Sequence, residues 1–386
     1  MRAGRRRGSS RCTAVASLGA VSPNASNADS SAAVVCKPSV VVPEHVFTRD
    51  DLKQAVAAVL GDDFPHLRRL WRIIDNSGIE RRHLVRPLAE ILQPAGFGAR
   101  NAVYAEESRR LTETAARGAL ANAALAPEAI DLVITTSCTG IMIPAVCAHL
   151  IPALGLRPDT QRLPITELGC AAGTVALSRA REYLRCYPGR NVLIVAHELC
   201  SLTYQRADVS MQALVGAMLF GDGAAGVVVR GDPQPTDAAG GLRLDVNASF
   251  LFPDSTGYMG FDVRDSGLHL ILDKGIPGAV ERQIAPVLER FLAANGRAAG
   301  DVNFFCLHPG GRKILNEIAR VFGLCPSRIR ASYDCLAEVG NLSSASILVV
   351  LRNLMERYAP VAGATGLVLG FGPGFSAEML LGTWVG

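Results

Sequence analysis

Apolar positions recur along this chain at two spacings, and the alternation between them sets out its architecture. Residues 34–42 form a β-branched run that predicts a first strand. Residues 49–60 and 65–77 carry apolar side chains at helical spacing, and Gly78 supplies the stop. A long helix is predicted over 104–124. The segment IDLVITT at 130–136 is a continuous apolar run, the pattern of a strand covered on both faces. A loop at 138–144 leads to a helix ending near Leu154, then to a short strand at 163–168. That strand stops at Gly169-Cys170, where helical spacing resumes through 186. Further buried strands are predicted at 191–196 and 223–230.

The second half repeats this order. A strand at 302–307 runs into a loop at 308–311. Gly340-Asn341 opens a helix at 342–356, and a strand at 365–370 leads through a Gly-rich turn to 376–382. Gly169-Cys170 and Gly340-Asn341 stand 171 residues apart (341 − 170), and an FG-x-G turn occurs in each half, at 220–223 and 371–374. The pattern predicts an α/β protein of two duplicated halves, 33–235 and 236–386, facing each other across a pseudo-two-fold axis.

Composition narrows the function. Hydrophobic residues make up 49 % of the 386 and charged residues 19 %, enough for a large core. The net charge of +4 comes without a basic stripe interleaved with aromatics, which argues against nucleic acid. No apolar run reaches the roughly 18–20 residues of a membrane span. The first 32 residues begin with Arg2, Arg5, Arg6 and Arg7 and continue Ser-, Asn- and Ala-rich. They predict a disordered tail rather than a signal peptide, and a cytoplasmic protein. Ten cysteines without a CxxC pair read as reduced thiols, with no metal site.

Three residues then stand out. Cys170 lies between Gly169 and a small-residue helix start, where free N–H groups stabilise a thiolate or a thioester oxyanion. The bland alternative is an inert core thiol. His308 ends a buried strand and is followed by Pro309-Gly310-Gly311. It can pair with a thiol, or simply be a core histidine. Asn341 can cap a helix or point its amide into a cavity. Their matching positions in the two halves favour a shared site.

GCAAG around Cys170, HPGG at His308, GNLSSAS at Asn341 and GFGPG at 370–374 resemble the type III polyketide synthases, the chalcone synthase-like group, from about Val40 to the C-terminus. The resemblance implies a thiolase-like αβαβα layered fold, a homodimer, and decarboxylative Claisen condensation of malonyl-CoA onto a Cys-bound acyl starter, with no cofactor. Cys170 would be the nucleophile. His308 and Asn341 would hold the enolate, with His308 also keeping Cys170 ionised. Phe220 and, in place of a second Phe, Leu270 would gate the cavity. Thr136, Glu198 and Ser343 would hydrogen-bond around it, and Gly370, Phe371, Gly372, Pro373 and Gly374 would shape it. Cys200 would border a tunnel for long acyl chains. Arg69 and Arg72 would meet the CoA phosphates, with Asn76 where plant members have Lys. The expectation is an alkylresorcinol or alkylpyrone synthase taking a fatty acyl-CoA, with an acyl carrier protein as the alternative donor. The runner-up within the family is a small-starter synthase of the phloroglucinol or tetrahydroxynaphthalene type. Beyond it stand a single-condensation ketoacyl-carrier-protein synthase III and a silent acyl-binding protein.

Overall fold

A computed structural model describes residues 33–61, 63–231 and 240–386. The 1–32 tail and the 235/236 boundary therefore lie outside the described residues. One mixed sheet runs through the molecule. Its strand order is Phe304–Leu307, Thr365–Gly372, Ser376–Val385, Gly241–Leu251, Val34–Val35, Asp222–Arg230, Asn191–Leu199, Leu132–Thr136 and Gln161–Ile165. Ser39–Val41 pairs beside Asp222–Arg230.

The duplication is visible in the pairing. Asn191–Leu199 lies parallel to Leu132–Thr136 and antiparallel to Asp222–Arg230. Thr365–Gly372 lies parallel to Phe304–Leu307 and antiparallel to Ser376–Val385 in the same sense. Val34–Val35 joins the halves by pairing with a strand from each.

Two helices occupy the middle layer, Ala172–Cys186 and Ser346–Arg357. The second reads SILVVL at its start, a run that could serve a buried strand. It is a helix because Ser346, Ile347, Leu348, Val349, Val350 and Leu351 are all buried, with protein on every side. Both helices contribute to one core cluster, through Ala172, Ala176, Ala180, Ile347, Leu348 and Leu351 among others. Small residues on the first let the second approach. A Cβ on Gly173 would lie 2.2 Å from the Ser344 carbonyl oxygen.

Several elements differ from the pattern-based expectation. The strand at 34–42 is interrupted at Lys37-Pro38, since Pro has no N–H to give the ladder. The long helix spans Phe97–Asn122, beginning ahead of its first buried residue, Tyr104. The hairpin Met259–Arg264 with Gly267–Leu272 and the helices Met211–Leu219, Ile276–Ala294 and Arg330–Val339 carried no prior assignment. No helix among the described residues is long and apolar enough to cross a membrane.

Candidate active site

The first-half helix is entered through a 3-10 turn, Gly169–Ala171, which carries Cys170. Gly169 has φ +48, and a Cβ there would meet the Pro373 ring at 2.9 Å. The loop at 370–374 packs directly on this turn. A Cβ on Gly370 would lie 2.4 Å from Thr174 Oγ1, and one on Gly372 would lie 2.6 Å from both Ala171 Cβ and the Leu168 carbonyl oxygen. These glycines hold the strand of one half against the Cys turn of the other. Of the loop's side chains only Pro373 lines the cavity, while Phe371 stacks on Phe375 at 5.7 Å.

The second-half turn meets the same place. Ser343 (φ +47) puts its hydroxyl 3.5 Å from Cys170 Sγ and 3.8 Å from Cys138 Sγ. The Asn341 Oδ1 accepts from Ser343 N at 2.7 Å and from Ser346 Oγ at 3.3 Å. With its oxygen so committed, the amide presents Nδ2 as the free donor, and a hydrogen bond from Asn341 favours the thiolate of Cys170. His308 leaves the end of Phe304–Leu307, its N–H donating 2.8 Å to the Leu369 carbonyl. It is thereby tied to the strand that carries Gly370 and Gly372, and is not itself among the residues that line the cavity in front of Cys170. Its ring is buried, and neither Nδ1 nor Nε2 has a hydrogen-bond partner among the described residues. Orphaned buried nitrogens are costly and call for a function.

Burial dominates the electrostatics. It pushes the Cys170 thiol up to about 12, against the smaller opposing effects of Ser343 and Asn341. It pushes His308 down to about 4. Burial thus works against both the thiolate and the imidazolium, in opposition to the ion pair that the resemblance implies.

The cavity in front of Cys170 holds about 710 Å³ and is walled largely by apolar side chains. Cys138, Cys170, Cys200, Phe220, Leu270 and Ser343 all line it. Leu270 lies on the Gly267–Leu272 strand opposite Phe261, a lining aromatic the sequence reading did not single out. Thr136 and Glu198 do not face the cavity. Alternation along Leu132–Thr136 turns Thr135 and Ser137 toward it and Thr136 away, and Asn191–Leu199 likewise exposes His197 rather than Glu198. Thr136 Oγ1 donates to Ser344 Oγ at 2.9 Å, which in turn donates to Glu198 Oε1 at 2.6 Å. Glu198 Oε2 accepts from Cys138 N and Thr139 Oγ1, each at 3.0 Å. The cavity-side residue at the junction of Glu198 and Ser343 is thus Cys138. Arg69 and Arg72 are exposed on the helix Leu67–Asn76, whose Leu70 and Ile74 point inward.

Two pseudo-symmetric halves, each bringing the turn before its central helix to one buried thiol, define the thiolase-like acyltransferases. The chalcone and stilbene synthase N-terminal domain profile matches residues 22–233, and the C-terminal domain profile matches 243–385. The 1,3,6,8-tetrahydroxynaphthalene synthase of Streptomyces griseus is 40 % identical over 91 % of this chain and 93 % of its own. The phloroglucinol synthase of Pseudomonas fluorescens is 38 % identical over 91 % and 99 %. The crystal structure of the tetrahydroxynaphthalene synthase of Streptomyces coelicolor superposes with TM-score 0.87 at 39 % identity, covering 92 % of this chain and 99 % of that one. The chain belongs to the chalcone and stilbene synthase family and is a type III polyketide synthase, an acyltransferase that condenses malonyl-CoA with loss of CO₂.

Proposed function

We propose that this synthase builds its chain from malonyl units on a small starter, and closes it to a polyhydroxylated aromatic of the tetrahydroxynaphthalene or phloroglucinol type. The observation that carries this reading is the 40 % and 38 % identity, over nine-tenths of the chain, to enzymes named for those products. It replaces the fatty-starter expectation as the leading one. That second reading retains one support, the apolar inner wall formed by Val56, Leu60, Leu214, Met218 and Leu270.

In the proposed cycle Cys170 Sγ attacks the starter thioester, its proton passes to His308, and CoA departs as the thiol. Malonyl-CoA then loses CO₂. The enolate oxygen is held by the His308 N–H and Asn341 Nδ2, and the carbanion attacks the Cys170 thioester and expels the thiolate. Decarboxylation supplies the carbanion, so the site needs donors rather than a strong base. Arg69 and Arg72 meet the CoA phosphates. The working form is a homodimer, which covers Ile143, 94 % exposed on the 138–144 loop, together with Ile141 and Leu163. The compartment is the cytoplasm, where both CoA substrates are made.

Product mass spectrometry tests the reading. Malonyl-CoA alone should yield an aromatic product. Product formation only when dodecanoyl-CoA is added would overturn it in favour of the fatty-starter synthase.

A further inference from the structure

Arg82 is a buried cation at the wall of the cavity in front of Cys170 that the reaction scheme does not use. It is 3 % exposed, sits on the strand Arg81–Leu84, and stacks over Phe47 at 5.3 Å. No carboxylate lies within ion-pair distance of it among the described residues. The nearby Asp222 favours its charge through space without touching it, and its own hydrogen bonds come from Val85 N at 2.9 Å, from Ser201 N at 2.8 Å and from the Ser201 hydroxyl. A buried charge without a contact partner is costly unless something of opposite polarity faces it.

What faces it is a helix end. Nη1 donates to the carbonyl oxygens of Ala217 and, at 2.8 Å, of Phe220. These close the helix Met211–Leu219, whose last carbonyls have no partner within the helix and carry the negative end of its dipole. The guanidinium is therefore the cap of that helix. The next residues are the site itself. Phe220 forms a parallel bridge with Asn341, Gly221 N donates to Asn341 O at 3.0 Å, and Asn341 N donates to Leu219 O at 3.0 Å. The stem of Arg82 packs against this junction. A Cβ on Gly340 would meet Arg82 Cγ at 2.9 Å, and one on Gly221 would meet Arg82 Cβ at 3.5 Å.

We infer that Arg82 is a positioning residue for the condensation, a single cation that sets the Phe220 ring at the cavity wall and the Asn341 amide at the thiol. Both are fixed through one hydrogen-bonded backbone bridge, and Arg82 holds the near side of it. The guanidinium stays charged at neutral pH although burial pulls it down to about 10. The inference rests on the role proposed above for Asn341. It goes beyond that role by naming what holds the amide in place. It also makes the two steps separable: acyl loading on Cys170 needs the thiol, whereas decarboxylation needs the aligned amide.

The test compares Arg82→Met, Arg82→Lys and Asn341→Ala in two assays, single-turnover loading of Cys170 and release of labelled CO₂ from malonyl-CoA, with melting temperature recorded for each. A lost oxyanion donor costs about 10²–10³ in rate. Arg82→Met should slow CO₂ release by roughly 10-fold or more, short of full donor loss, while changing loading far less. Arg82→Lys keeps a charge and donors for both carbonyls, and should recover most of the loss. Parallel loss of both steps together with a fallen melting temperature would make Arg82 a mere structural cap and overturn the inference. So would a folded Arg82→Lys no better than Arg82→Met. Normal CO₂ release by Asn341→Ala would sink the role of Asn341 and this inference with it. Slow release by Asn341→Ala beside normal release by Arg82→Met would sink this inference alone.

Discussion

Replacing Gly173 by Ala sets two effects of opposite sign against each other. Gly173 lies in the first turn of Ala172–Cys186, and in a helix Ala is favoured over Gly by up to about 1 kcal/mol. Propensity alone predicts stabilisation. The packing predicts the reverse. The new methyl would sit 2.2 Å from the Ser344 carbonyl oxygen and 2.7 Å from Ile347 Cγ2. The first of these is backbone and cannot rotate away, so the two central helices must part by roughly 1 Å, and overpacking of this kind costs about 1–3 kcal/mol. Packing should win, leaving a net loss of up to about 2 kcal/mol, or a fall of several degrees in melting temperature. The displacement falls between the turns that bear Cys170 and Ser343. A misplacement near 1 Å can cost about 10²-fold in rate. CO₂ release from malonyl-CoA should therefore drop well beyond what the lost stability explains. Gly98→Ala is the control. It lies in the first turn of Phe97–Asn122 with nothing within 4 Å of its would-be Cβ, and should be neutral or stabilising. A Gly173→Ala enzyme that melts no lower than wild type and decarboxylates at the normal rate would refute the close approach of the two helices.

Three further outcomes follow from the site and its surroundings. Because burial pushes the Cys170 thiol up, iodoacetamide inactivation of the ligand-free enzyme should keep rising with pH well above 8; an inactivation midpoint below pH 8 would show that His308 charges and pairs with the thiol. Cys200→Phe should fill part of the cavity and suppress dodecanoyl loading selectively, sparing malonyl-derived products; equal loss of all starters with a large fall in melting temperature would mark Cys200 as an ordinary core thiol. Burial raises Glu378 to about 7 while Ser249 Oγ donates to it at 2.7 Å. A raised carboxyl contributes stability that is fully present below its unfolded value near 4.5 and is lost as pH rises through about 7, a span worth at most about 3 kcal/mol. Glu378→Gln should flatten the fall in melting temperature between pH 5 and pH 8, and an unchanged slope would remove Glu378 as its source.

Which parts of this molecule could be read from the chain alone follows from how local each signal is. Cys170, His308 and Asn341 drew attention because each follows or precedes a glycine at a sharp turn, Cys170 and His308 after a strand and Asn341 between two helices, and such a Gly marks a backbone that must bend sharply or approach another. Gly169 meets Pro373, Gly311 meets Leu219 and Gly340 meets Arg82, so these glycines record contacts across the two halves even though each is written in one stretch. Thr136 and Glu198 were expected to hydrogen-bond around the cavity from the family resemblance alone, and the sequence offers no check on their direction, because a continuous buried strand shows no polar alternation to say which face is which. In Asn191–Leu199 every residue from Val192 onward is buried, and only the fold distinguishes the face of His197 from that of Glu198. The hairpin carrying Phe261 and Leu270 was missed for the opposite reason: MGFDVR-DSG-LHLIL is half polar, and it is ordered by packing on Met211–Leu219 as much as by its own turn. The electrostatics were the least legible of all. A thiol at a helix start beside an imidazole reads as an ion pair, yet burial is the largest cause acting on both groups. In the proposed cycle, proton transfer to His308 would then accompany attack on the bound thioester instead of preceding it. This places the demand for alignment on Asn341 and on the Arg82-capped bridge that holds it.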